Sequence, residues 1–236
     1  MTSTATQVRL AHEVKHSNPL FFSSFLLFFF FFFFDIAPRK SLRTPKMTTP
    51  NPIQTHGFTA IPASSTTFTA PATQKGIPPK AIIETPIPRT PLAQRILTYA
   101  QTHLPTPTLH HSLRVYHYGL AMKQYLSAQD NNSESYPGWA GFSDETFFLA
   151  CMLHDIGTTE ENMRETRLSF EFAGGLRAWG LLLGGDAEEG VASREQAESV
   201  VEAIVRHQDL CEVGWITAIG GVLQLGTIFG EFLSIY

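Results

Sequence analysis

The chain has 236 residues, a formal charge of −4 and two cysteines. That length suffices for one domain with a sizeable core plus extensions. Cys151 and Cys211 lie in apolar, helical surroundings, which excludes a disulfide framework and reads as buried thiols in a reducing compartment.

Residues 1–46 differ from the rest. They carry six basic side chains against Glu13 and Asp35, which leaves the remainder acidic, and an acidic domain argues against nucleic acid as a partner. Pro19 to Phe34 reads PLFFSSFLLFFFFFFF. As a signal anchor, with Lys15 and His16 ahead of it, the run falls short of the ~20 residues of a spanning helix and lacks a small-residue cleavage site. Pro, Leu, Phe and Ser can all be encoded by pyrimidines, so the tract is expected to be a translated leader foreign to the native product, with Met47 as the true start. The expected location is the cytoplasm; the alternative, if the tract belongs to the protein, is a membrane anchor. Residues 47–88, rich in Pro, Thr, Ser and Ala, are expected to complete a disordered N-terminal extension as an arm, with Gly57–Pro62 an apolar island that can dock on the domain.

The domain proper is expected over 89–236. Thr90 is placed to cap a helix with Pro91 at its first position, and Leu92, Ile96, Leu97 and Ala100 give it an apolar stripe. Pro105 and Pro107 interrupt, and a long helix is predicted over roughly 108–128. Residues 129–142 read as a surface loop. Ser143 caps a helix that is apolar nearly all round from Phe147 to Leu153, hence central and buried, ending at His154-Asp155 with Gly157 as its stop. Residues 158–168 are expected to loop over the site. Ser169 opens a helix to Leu183 whose Gly174-Gly175 costs stability, a sign of close packing or substrate approach. Ser193 and Gln196 form a capping box for a helix to His207, and a last helix is predicted from near Ile216 to Phe229. No stretch alternates as a strand does, so the predicted fold is all-α.

The chemistry centres on Leu153-His154-Asp155-Ile156-Gly157. Asp155 sits at the helix end where a carboxylate is disfavoured unless a cation compensates, so a metal explains the pair better than capping does. His111, on the long helix, is the candidate first ligand; its alternative is a solvent-facing histidine beside His110. Glu171 is either a first-turn acid complementing its helix or a partner or general base in the pocket. His207 and Asp209 are either a helix end and a turn, or contacts to substrate or metal water. Arg114 and Arg206 either orient carboxylates or are solvated. Thr158 and Thr159 either donate hydroxyls to the site or cap the loop.

The ordered set of His111, His154-Asp155 and a later helix resembles the HD-domain superfamily of metal-dependent hydrolases, whose fold is a helical bundle. The match is closer than that. His111-Ser112-Leu113-Arg114-Val115-Tyr116, Leu153-His154-Asp155-Ile156-Gly157-Thr158, Ser169-Phe170-Glu171 with Gly174-Gly175, Ile204-Val205-Arg206-His207-Gln208-Asp209 and Gln224-Leu225-Gly226-Thr227-Ile228-Phe229 together resemble the fungal cyanamide hydratases. The resemblance covers about 57–229. It implies a lyase that hydrates cyanamide, or a similar small nitrile, to urea by metal-activated water. The implied ligands are His111, His154 and Asp155, and the metal is zinc first and iron second. His207 or Glu171, with Asp155, would handle protons; Met152 and Phe170 would wall a small pocket, with Thr158 and Arg114 as further substrate contacts. The partner is a small molecule, with neither nucleic acid nor membrane expected and a homodimer left open.

One departure matters. Superfamily members take their last ligand from an aspartate on the final core helix, which corresponds to position 230, and here that residue is Gly230. The tail from Glu231 to Tyr236 does not resemble the family, and codons for Gly-Glu-Phe can contain a common intron start. The expectation is therefore a C-terminally incomplete domain, truncated or mis-spliced, that lacks one ligand and has impaired activity. The alternatives are an HD-type nucleotide phosphohydrolase and a non-catalytic remnant of the scaffold.

Overall fold

The computed structural model describes residues 51–64, 82–130, 141–186 and 190–232. All of these fall in one compact unit spanning Thr48–Tyr236; the expectations for the poly-Phe tract and the tail after Phe232 lie outside the described residues. The fold is helical, as the periodicity predicts. In chain order come α1 (Pro52–Thr55), β1 (Ala60–Pro62), a 3-10 turn (Ile82–Glu84), α2 (Pro91–His103), α3 (Thr106–Asp130), α4 (Asp144–Leu153) and a second 3-10 turn (Ile156–Thr158). Then follow α5 (Glu160–Glu165), α6 (Phe170–Leu183), α7 (Arg194–Arg206), β2 (Trp215–Thr217) and α8 (Ala218–Phe232).

The caps form where the sequence puts them. Hydroxyls of Thr90, Ser143 and Ser193 accept from the backbone N–H of Ala93, Thr146 and Gln196. The Ser193 box is only half closed: the Gln196 amide reaches across to the Thr146 hydroxyl (3.3 Å) rather than back to its own cap. Ser169 occupies the N-cap of α6 without making a side-chain bond. Pro107 is accommodated in the first turn of α3, where its missing N–H costs nothing.

Helix α4 is the axis of the core. Thr146 to Leu153 are all buried, so the helix must be covered on every side. It packs against α2, α3, α7 and α8; α3 lies along α8 and α6 along α7. Burial pushes the Cys151 thiol well up, whereas Cys211 is only half-buried.

Two features depart from the predicted pattern. The segment after Thr159 is a short helix, α5, rather than a loop. The arm from Asn51 to Ser64 is ordered: Ile61 pairs antiparallel with Ile216 in a two-stranded ribbon, and both side chains are buried. Strand β2 takes the start assigned to the last helix, which begins at Ala218. The arm also supplies acceptors to that helix. Ala218 and Ile219 donate their N–H groups to the carbonyls of Thr59 (2.8 Å) and Gly57 (3.3 Å), donors that a helix start otherwise leaves unsatisfied. The apolar island Gly57–Pro62 is thus docked. Among the described residues, no helix is long and apolar enough to cross a membrane.

Candidate metal centre

Three structural units carry the candidate residues. The first is the contact between α3 and α8, which run close because glycines line it. A β-carbon at Gly119 would lie 3.3 Å from Val222 Cγ1, and one at Gly226 would lie 3.0 Å from the Val115 carbonyl oxygen. One turn further along α8, a β-carbon at Gly230 would meet His111, 3.3 Å from both Cε1 and Nδ1. His111 is half-buried and faces a residue with no side chain.

The second unit is the turn after α4. His154 is fully buried, and its Nδ1–H donates to the Cys151 carbonyl (2.8 Å). A carbonyl can only accept, so Nδ1 holds the proton and Nε2 offers a lone pair. Asp155 follows in the bridge region (φ −102°, ψ 11°) and opens the 3-10 turn. Thr158 Oγ1 donates back to the Asp155 carbonyl (2.7 Å), and Asn162 Nδ2 donates to the Ile156 carbonyl (2.5 Å). Gly157 lies against α6 so tightly that a β-carbon would come within 2.0 Å of the Phe170 carbonyl oxygen, and Gly174 faces it in return. Close helix-to-turn packing accounts for Gly174, while Gly175 abuts Val205 and Val201 of α7.

The third unit is the end of α7. His207 is 2% exposed, and its Nδ1–H donates to the Ile204 carbonyl (2.7 Å). Its Nε2 is buried without a hydrogen-bond partner among the described residues.

These units converge on Asp155. Its Oδ2 lies 3.2 Å from Nε2 of His154 and 3.8 Å from Nε2 of His111, and its Oδ1 lies 3.7 Å from Nε2 of His207. The ligand atoms of His111, His154 and Asp155 all lie within 4.8 Å of one another. Burial alone would raise the Asp155 carboxyl; when His154, and behind it His207, carry a proton on Nε2, their positive charge outweighs burial and holds the group well below the usual carboxylate range. Imidazole lone pairs aimed at a carboxylate repel it unless a proton or a cation lies between. The donor set of two nitrogens and one carboxylate oxygen therefore fits a divalent transition metal. Among the described residues, the Gly230 side adds no fourth donor to the set.

The remaining candidates divide. The Phe170 ring stands edge-on to His207, with centroids 5.6 Å apart. Thr158 is exposed and spends its hydroxyl on the turn. Glu171 is half-buried in the first turn of α6, and among the described residues no hydrogen bond or ion pair ties it to Asp155 or the histidines. Arg114 is half-buried, with its Nε buried and, among the described residues, without a hydrogen-bond partner. Composition assigns no role to Gln224, which donates from Nε2 to the carbonyls of Arg206 (2.8 Å) and Asp209 (2.9 Å) on either side of His207. The available signal was a lone amide within a largely apolar final helix.

An all-α domain that gathers two imidazoles and a carboxylate at its core defines a helical protein with metal-binding geometry. No family model matches the chain. Two proteins of Saccharomyces cerevisiae, cyanamide hydratase DDI2 and cyanamide hydratase DDI3, are each 34% identical to it over 178 residues, covering 73% of this chain and 68% of theirs. The chain belongs to the cyanamide hydratase family.

Proposed function

We propose that this protein is a hydro-lyase that adds water across the C≡N bond of cyanamide to give urea, at a divalent metal held by His111, His154 and Asp155. The observation that carries the proposal is the convergence of those three ligand atoms within 4.8 Å, in a chain from this family. Two nitrogens and an oxygen suit zinc first and iron second. Such a metal, when bound, supplies the Lewis acidity that lowers the pKa of a water towards ~7.

The protein's own contribution is proton handling and placement. The new bond joins the water oxygen to the nitrile carbon, one π bond of C≡N is lost, and one water proton ends on the nitrile nitrogen; the isourea so formed tautomerises to urea. His207 suits the transfer better than Glu171. Its Nδ1–H is committed to the Ile204 carbonyl, so Nε2 alone can take up a proton and pass it on, and that atom faces Asp155 at 3.7 Å. Phe170, edge-on to His207, walls the pocket on that side. Arg114, whose Nε has no hydrogen-bond partner among the described residues, is the second substrate contact, and Thr158 acts by tying down the Asp155 turn. Two free thiols support placement in the cytoplasm.

A second reading is favoured by Gly230: a scaffold whose metal site is weakened by the bare fourth side next to His111. Purified protein separates the readings. Urea release from cyanamide that disappears in Asp155→Asn supports the hydratase. Phosphate release from nucleotides would replace it with a phosphohydrolase. Absence of both, with no retained metal, would leave the scaffold reading.

A further inference from the structure

Helix α8 is apolar along nearly all of its buried length, yet Gln224 lies within it at 3% exposure. Leucine would fill such a position at no cost in desolvated polar groups, whereas a buried amide is costly unless its donors are bonded. Gln224 bonds from Nε2 twice, to the carbonyls of Arg206 and Asp209, at 2.8 and 2.9 Å. Arg206 is the last residue of α7, and its carbonyl, which no intrahelical N–H reaches, accepts from the Asp209 N–H (3.1 Å) as well as from Gln224. The two acceptors lie immediately before and shortly after His207, so the amide clasps the turn that presents the imidazole. The ring's Nδ1–H is bonded to the Ile204 carbonyl in the last turn of α7, so the imidazole sits where that helix end and the 206–209 turn place it.

We propose that Gln224 is the positioning residue for His207, fixing the 206–209 turn so that Nε2 is held 3.7 Å from Oδ1 of Asp155. This rests on the reading of His207 as the proton carrier. The clasp comes from a different helix, one that also bears Gly230, which faces His111. Gln224 thereby couples the placement of the third unit to that of the first. Groups that orient a site residue without touching substrate typically contribute about 10–100-fold.

The test uses the full chain labelled with 15N-histidine. The Nδ1–H signal of His207 is identified by its loss in His207→Gln. In Gln224→Met, which keeps the side-chain length and removes both donors, that proton should exchange at least about tenfold faster, while the Nδ1–H of His154, bonded to Cys151, is unchanged. In the same variant kcat for urea formation should fall about 10–100-fold with KM within about twofold. Gln224→Asn, with both donors on a shorter arm, should fall between wild type and Gln224→Met in both readouts, and it replaces Gln224→Met should that variant not fold. Unchanged exchange of the His207 proton overturns the proposal whatever happens to turnover. Faster exchange with undiminished kcat upholds the positioning and instead removes His207 from the reaction. In a chain that makes no urea, the exchange measurement alone decides.

Discussion

The two sides of the candidate centre are built differently. On one side, His154 and His207 are almost fully buried, each imidazole is locked through Nδ1 to a carbonyl of its own helix, and the surrounding turns are tied by Thr158, Asn162 and Gln224. On the other, His111 retains 13% side-chain exposure and faces Gly230 across a helix contact without a side chain to fill it. The locked side holds its lone pairs in place before anything binds. The bare side places a glycine where a side chain could approach His111. Rigidity is thus concentrated on one half of the candidate site and unfilled space on the other, and substitutions can address them separately.

Asp155→Asn should have the largest effect, because Asp155 is the group on which both halves converge. Urea formation should fall below detection and bound metal, measured by elemental analysis, should be lost. Gly157→Ala breaks the locked side: its β-carbon would approach the Phe170 carbonyl to 2.0 Å, so backbone must shift. A loss of about 3 kcal/mol in urea unfolding is expected, at the upper end for overpacking. Gly230→Asp fills the bare side, and competition with a chelator should show metal affinity raised at least about tenfold, the scale on which ligand-supporting groups act. Gly230→Ala adds only a contact with His111 and should not raise it. The difference between the two variants isolates the carboxylate.

A pH series sharpens the same comparison. The Asp155 carboxyl is held below its unfolded value of about 3.9, so the folded state binds its proton less readily than the unfolded state does. Its contribution to metal-free stability is full above that unfolded value and is lost as pH falls through the depressed folded value. Denaturation midpoints between about pH 5 and pH 2 should fall more steeply for wild type than for Asp155→Asn. The smallest effect expected is that of Thr158→Val, which removes one exposed hydrogen bond and should cost about 1 kcal/mol or less.

Local signals explain why much of this was legible in the sequence. Thr90, Ser143 and Ser193 announce helix starts because a hydroxyl there has one dominant use, and the unbroken apolar run of Phe147 to Leu153 can only be central. The His154-Asp155 pair marked the site because a carboxylate at that helix end needs a cation. What could not be read depends on distant partners. Ile61 and Ile216 become strands only because they find each other. Helix α5 is short and charged, with no apolar face to give it a period. Gln196 satisfies the spacing of a capping box, yet Thr146 competes successfully for its amide. Gln224 gains meaning only once α7 ends beside it. For Glu171, spacing suggested a role, and among the described residues no hydrogen bond or ion pair joins it to Asp155.

The β1–β2 ribbon has a consequence for synthesis. Ala60 pairs with Thr217, so an early segment waits on a late one. At the usual 5–20 residues per second, the ribosome needs roughly 10–30 s to make the intervening ~160 residues. Throughout that interval Ile61 has no partner strand and the carbonyls of Gly57 and Thr59 have no helix to receive. The arm that emerges early is thus among the last pieces to dock, and a nascent chain arrested before Ile216 should expose it to protease however well α2 to α4 have already packed.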